Sequence, residues 1–264
     1  MTHDEYSKQR GITASAIKHG RKSMLHMRHY LTAAQKEPSA AMVTGSMVHM
    51  AVLEPARYAS SVTLYDGRRA CKEWDAFQIQ NAASEILKPA EKEHIDAIAQ
   101  SVLANRDAQF FLTAATEREL SVSWDDPAHY GRAKARVDAF GGGVLADLKT
   151  TSKIEPRQFA SQVVQLGVDL QLGWYRKGLM SHNIAVNRVV IIAVEQAAPH
   201  DVVVYDVPDN ILADGYEKAA EIATRYRCCE ACGSFPGVAD GVQILELPEW
   251  AQGEAVIDME GVTE

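Results

Sequence analysis

The chain has 264 residues, enough to bury a substantial core as one larger domain or two small ones. Its 47% apolar and 23% charged residues are ordinary for a soluble globular protein, and no apolar run is long enough to span a bilayer. A formal net charge of −8 argues against a large surface that coats nucleic acid, though it leaves room for a basic channel.

The N-terminus, MTHDEYSKQRG, is polar and lacks the apolar core of a signal peptide, so a cytoplasmic location is expected. Thr13 is an N-cap candidate for a helix through Tyr30. That segment carries local basic density at Lys18, Arg21 and Lys22, which reads either as phosphate contact or as ordinary surface charge. A polar loop around Lys36–Ser39 precedes a second helix, Ala40 to Leu53, closed by Pro55. Gly45 and His49 share one face of it, and the glycine leaves room for close approach beneath the imidazole. Residues 56–75 read as irregular, and a long amphipathic region interrupted by Pro89 follows from about Asp75 to Ala104.

The β region opens near Glu117, where Glu119-Leu-Ser-Val-Ser-Trp124 alternates. Tyr130 to Thr151 then reads as two strands joined by Gly141-Gly142-Gly143. Strict alternation places Arg132, Lys134, Arg136 and Asp138 on one side of the first strand, and Asp147 and Lys149 on one side of the second. Pro156 opens a helix to about His182 in which Gln171 and Tyr175, four apart, reach one site. Two more strands, Asn187–Gln196 and Asp201–Val207, a helix from Asp209 to about Ala231 and a short strand at Val242–Leu247 complete the order. The run Val189–Val194 is apolar enough for a strand buried on both faces. Cys228, Cys229 and Cys232 offer half of a zinc or iron–sulfur site, but no second pair exists and Cys71 is distant; reduced thiols are expected, and no disulfide.

Two carboxylates, Asp138 and Asp147, beside Lys149 are the parts of a Mg²⁺-dependent phosphodiesterase. The carboxylates are hard oxygen ligands, and the lysine steers water or stabilises charge on phosphate. Asp147 lies in the apolar run VLADLKT, where a carboxylate is costly unless it meets a cation or hydrogen-bond donors. Arg132, Lys134 and Arg136 fit contacts with a DNA backbone; Arg136 fits equally a buried partner for an active-site carboxylate.

The ordered set Gly45-x-x-x-His49, Glu119 ahead of Trp124, Arg136-x-Asp138, Asp147-x-Lys149-Thr150-Thr151 and Gln171-x-x-x-Tyr175, with the Leu247-Pro-Glu-Trp250 ending, resembles the PD-(D/E)xK nucleases. Within them it is similar to the RecE-type, exonuclease VIII-like enzymes of phages and prophages, from about Ile12 to Trp250. The resemblance implies an α/β (α+β) restriction-endonuclease-like core, a mixed central sheet flanked by helices, in a single nuclease domain. That domain would have a helical part over about 12–110, a catalytic core over about 115–250 and a short acidic tail.

It implies Asp138, Asp147, His49 and the Leu148 carbonyl as metal ligands, with Lys149 catalytic. Glu119 would support those ligands or a second metal, and Gln171 and Tyr175 would orient the scissile phosphate. Asp147 stands where the family more often has Glu, which leaves one or two metals open. The implied activity is ATP-independent 5′→3′ digestion of linear duplex DNA with Mg²⁺, Mn²⁺ being a possible substitute. The surviving 3′ strand would pass to a single-strand annealing protein, and the enzyme would be a homo-oligomeric ring, a tetramer as in the RecE branch or alternatively a trimer as in the lambda exonuclease branch. A structure-specific endonuclease on the same core, or a non-catalytic DNA-binding component of a recombination module, are the alternatives.

Overall fold

The computed structural model describes residues 3–33, 38–248 and 251. Polar caps set the N-terminal elements. After α1 (His3–Lys8) come α2 (Ala14–Gly20), where Thr13 accepts from the Ala16 N–H, and α3 (Met24–Thr32), where Ser23 accepts from the His26 N–H. Ser23 thus divides the single helix expected from Thr13 to Tyr30, because its side chain satisfies a helix-starting N–H locally. α4 (Ala40–Leu53) has its expected bounds, and Pro55 opens α5 (Pro55–Ser61) directly after it.

Residues 56–75 are not irregular throughout: α5 is followed by β1 (Val62–Leu64), and α6 (Lys72–Gln80) starts early. β2 (Glu85–Leu87) interrupts the expected long helix and pairs in parallel with β1 before α7 (Pro89–Ala104). α8 (Arg106–Ala114), capped by Asn105, leads into the main sheet.

That sheet has five strands: β3 (Glu117–Asp126), β4 (Gly131–Gly141), β5 (Val144–Thr151), β6 (Arg188–Glu195) and β7 (Val202–Asp206), in that spatial order. All neighbours are antiparallel except β5 and β6, which are parallel and joined across α9 (Pro156–Leu166) and α10 (Val168–Met180). The expected helix from Pro156 to His182 breaks at Gly167, whose φ of +64° ends α9 and starts α10. α11 (Asp209–Cys232) closes the order. Val242–Leu247 is not a strand: it joins neither edge of the sheet, and Val242 and Ile244 are exposed. Glu249, Trp250 and the acidic tail beyond residue 251 lie outside the described residues.

Helices cover both faces of the sheet. On one, Ile17 of α2, Trp174 and Leu179 of α10 and Ala219 and Ala223 of α11 pack with Val189, Ile191 and Ala193. On the other, Val48 of α4, Ile95 and Ile98 of α7 and Leu112 of α8 pack with Val190, Ile192 and Val194. Alternate residues of β6 therefore feed two cores, as its unbroken apolar run predicts, each worth roughly 1.5–3 kcal/mol when fully buried. No helix among the described residues is long and apolar enough to cross a membrane.

Candidate active site at the fork between two strands

The β4–β5 ladder is short. It pairs Gly141 with Val144, Phe140 with Leu145 and Ala139 with Ala146, and stops. From there β4 continues with β3 and β5 continues with β6, so the two strands diverge. Asp138 and Asp147 occupy the first positions past the last pair. The Asp138 carboxylate takes the place of a ladder acceptor: its Oδ2 accepts from the Leu148 N–H at 2.8 Å.

The alternation of β4 changes phase at this point. Ala133, Ala135 and Val137 pack in the core with α10, whereas Ala139 packs in the core with α4 and α7. Opposite, Glu119 has φ +50° and interrupts the β3 register between Arg118↔Ala139 and Leu120↔Val137. A non-glycine residue in that region costs on the order of 1–3 kcal/mol and is tolerated where its surroundings fix it.

β5 keeps its period, so Asp147 and Lys149 do share a face. Asp147 is fully buried. Its Oδ1 accepts from Gln171 Nε2 at 3.2 Å, and its Oδ2 faces the Lys149 ammonium with no further hydrogen bond. Burial disfavours the charged lysine, but Asp147 and Asp138 outweigh it and raise the ammonium's pKa. Lys149 Nζ also lies 3.4 Å from the Leu148 carbonyl.

α4 comes close to β5 because a Cβ on Gly45 would stand 3.2 Å from Thr150 Oγ1. One turn on, His49 Nδ1 lies 3.5 Å from Asp138 Oδ2. Burial, then Lys149, lowers the His49 pKa to about 4, so the imidazole is neutral and free to act as a ligand near pH 7. Burial, then the Asp147 charge, raises Asp138 to about 7. Glu119 is raised by burial and then by Asp138.

His49, Glu119 and Asp138 each offer a ligand atom within 4.8 Å of the others. The two carboxylates are hard oxygen donors and the neutral imidazole a borderline nitrogen donor, a set able to hold a divalent cation. Burial, and then a neighbouring carboxylate, raises the pKa of both carboxyl groups, and a bound cation would favour their charged forms. The residues fit a divalent cation. The grouping differs from the expected set of His49, Asp138, Asp147 and Leu148: Glu119 joins the ligand atoms, while Asp147 is turned to Lys149 and Gln171.

The basic residues expected on one DNA-facing row separate. Lys134 points into the body, donating to the carbonyls of Tyr6 at 2.8 Å and Gln9 at 2.7 Å and lying over the Tyr6 ring. This withdraws it from the DNA-facing set. Arg136 donates to Glu119 and reaches Glu54 Oε2 at 3.9 Å, so it is a carboxylate's partner. Arg132 is exposed, 3.5 Å from Asp125. Lys18 Nζ donates to Gln171 Oε1 at 2.7 Å, Arg21 donates to the Gln165 carbonyl at 3.2 Å, and Lys22 is exposed. Among the described residues, Cys228, Cys229 and Cys232 join no metal-ligating cluster. Two contributors escaped the sequence reading: Glu54, from the α4–α5 junction, and Lys18 as a partner of Gln171. The signal for Lys18 was its place on the buried face of α2 with Ala14 and Ile17.

A model of the family described as "PDDEXK-like domain of unknown function" (DUF3799) matches residues 13–248. No curated protein matches the chain. Among solved structures, the chain is similar to a protein of Eubacterium rectale classed provisionally as an exonuclease. The TM-score is 0.66 at 15% identity, covering 94% of this chain and 95% of that one. At that identity the likeness speaks for the fold. It also matches a phage-related exonuclease of Haemophilus somnus 129PT, with 12% identity, 86% and 97% coverage and a TM-score of 0.38. LHK-Exo in complex with dAMP matches with 12% identity, 84% and 93% coverage and a TM-score of 0.37. With a family match spanning most of its length and a mixed five-stranded sheet that carries the acidic residues and lysine at one fork, the chain belongs to the PDDEXK-like domain family and is a nuclease.

Proposed function

We propose that the protein is a Mg²⁺-dependent, ATP-independent exonuclease that digests linear duplex DNA 5′→3′ and leaves 3′ single-stranded ends for recombination by annealing. The observation that carries the reading is the convergence of His49, Glu119 and Asp138 beside the Asp147–Lys149 pair at the β4–β5 fork. Support for the exonuclease form comes from the order of motifs shared with RecE-type enzymes.

Phosphodiester hydrolysis needs an in-line water and relief of the negative charge that grows on phosphate. His49, Glu119 and Asp138 would hold a divalent cation, which would supply Lewis acidity for both. Lys149 contributes a fixed positive charge at the reacting phosphate and is kept protonated by Asp147. Tyr175, whose pKa burial and the nearby carboxylates push well above 10, is a neutral hydroxyl able to donate to a phosphate oxygen. Gln171 holds both Tyr175 and Asp147 in place. Arg132 and Lys22, exposed and cationic, are the contacts proposed for the DNA backbone. A cytoplasmic setting, a ring of identical subunits and an annealing protein that receives the 3′ strand complete the proposal.

The test is digestion of linear and covalently closed duplex DNA with Mg²⁺ and without ATP, beside Lys149→Ala. Loss of linear DNA alone, with 5′-labelled nucleotide released first and the variant slowed roughly a hundredfold to a thousandfold, is expected. Cutting of closed circles makes the enzyme an endonuclease. Binding of DNA ends without any cleavage makes it a non-catalytic recombination component.

A further inference from the structure

Lys18 reaches the catalytic cluster from outside the sheet. Its ammonium donates to Gln171 Oε1 at 2.7 Å. The same amide donates through Nε2 to Asp147 Oδ1 at 3.2 Å and to the Tyr175 hydroxyl oxygen at 2.9 Å. An ammonium can only donate, and a carboxylate can only accept. Gln171, itself buried, is held between one of each, so its amide has a single allowed sense. Both Nε2 hydrogens are then committed. Because the Tyr175 oxygen receives one of them, the phenol's own proton is left for another acceptor. Asp138 and Asp147 lie close enough to weigh on Tyr175 after burial, so its hydroxyl stands beside the carboxylates at the fork.

The path of Lys18 is built into the fold. Ile17 and Ala14 anchor α2 in the core, and the lysine stem passes the break between α9 and α10. There a Cβ on Gly167 would stand 3.2 Å from Lys18 Cγ. Burial, then Lys149, lowers the Lys18 pKa to about 8, with Arg21 adding to the fall and Asp147 and Asp169 opposing it. A lysine held on a desolvated amide, against a lowered pKa, is poorly placed to reach DNA phosphates.

We propose that Lys18 is a positioning residue, its ammonium locking the Gln171 amide so that Tyr175 presents its hydroxyl proton to a phosphate oxygen of the substrate. The inference rests on the nuclease reading and deepens it. It replaces a direct phosphate contact by Lys18 with an action through two other side chains.

The experiment compares wild type, Lys18→Met, Tyr175→Phe and the double variant on linear duplex DNA. It also follows the Gln171 side-chain amide by NMR, identified by its loss in Gln171→Leu. Methionine keeps the buried stem, and Lys18→Gln is the second variant if Lys18→Met melts early. Expected are a fall in kcat of roughly tenfold to a hundredfold with KM within about twofold, no such fall in the Tyr175→Phe background, and a shifted Gln171 amide. A raised KM, with the salt dependence of DNA binding flattened by about one charge, would make Lys18 a phosphate contact and overturn the proposal. Equal effects of Lys18→Met with and without the tyrosine hydroxyl, or an unmoved amide, overturn it too. Wild type inactive on every duplex sinks the nuclease reading instead, and the amide resonance still decides whether Lys18 locks Gln171.

Discussion

Asp138→Asn should make the metal-free protein more stable at pH 8 than the wild type. Burial, then Asp147, raises the folded-state pKa of Asp138 from 3.8 to about 7. Between those values the folded chain holds more protons than the unfolded one, so the contribution to stability falls as pH rises. It is fully present below about pH 4 and lost above about pH 7. Three pKa units correspond to roughly 4 kcal/mol, and local rearrangement recovers part of that. A gain of about 2 kcal/mol in the variant is the expected reading, or roughly 4–8 °C in Tm for a domain of this size. Asparagine retains an oxygen for the Leu148 N–H that Asp138 accepts at 2.8 Å. His49 contributes the opposite slope between about pH 4 and its ordinary value of 6.5, because burial holds it neutral when folded. The measurement is therefore the difference between wild-type and variant melts in EDTA from pH 4.5 to 8, repeated with Mg²⁺. Mg²⁺ should raise the wild-type Tm and leave the variant nearly unchanged. Parallel curves, or a variant below wild type at pH 8, would mean that burial does not raise the Asp138 pKa in the folded protein.

Three further outcomes follow from neighbouring residues. Lys149→Ala leaves the fully buried Asp147 without its cation and should cost about 3–5 kcal/mol in urea unfolding, most of it recovered by adding Asp147→Asn. The His49 imidazole should show no protonation step by NMR between about pH 5 and 8, since burial and Lys149 lower its pKa to about 4. Gly167→Ala should destabilise by about 1–2 kcal/mol from the left-handed backbone alone. It should also reduce kcat, because the new Cβ presses on the Lys18 stem 3.2 Å away; unchanged kcat in the folded variant would sever that link.

Features governed by local periodicity were legible in the sequence. Asp147 and Lys149 share a face because β5 is regular, and Gly45 and His49 do because α4 is. The apolar β6 run announced a strand buried on both faces. What escaped was set by distant parts of the chain. Alternation on β4 placed Arg132, Lys134, Arg136 and Asp138 in one row, but a strand that leaves one neighbour and shifts phase at Asp138 does not keep that row. Lys134 was claimed by the carbonyls of Tyr6 and Gln9, over a hundred residues away in sequence, which no pattern within β4 encodes. Gly167 reads equally as a tolerated helix residue or a break, and the passage of Lys18 and Arg21 against it settles which.

The fork also explains why the site calls for a cation. A paired strand would spend the Leu148 N–H on a backbone carbonyl; here it goes to Asp138, and the carboxylate is drawn into the gap. Glu119, Asp138 and Asp147 gather there, and two of the three have a basic side chain as a direct partner. Lys149 pairs with Asp147, and Arg136 pairs with Glu119. Asp138 is left with His49, which burial keeps neutral near pH 7 and which therefore brings no charge. One buried carboxylate in excess has two ways to be tolerated, a proton or a bound cation, and burial and then Asp147 raise the Asp138 pKa in the direction that favours the proton when no cation is bound. Binding a divalent cation at His49, Glu119 and Asp138 should therefore release a proton near neutral pH. Calorimetric titration of Mn²⁺ in buffers of different ionisation enthalpy reads that release directly. A proton count near zero at pH 6.5 would mean that Asp138 is already ionised, and that the charge imbalance at the fork is balanced by something other than the proton.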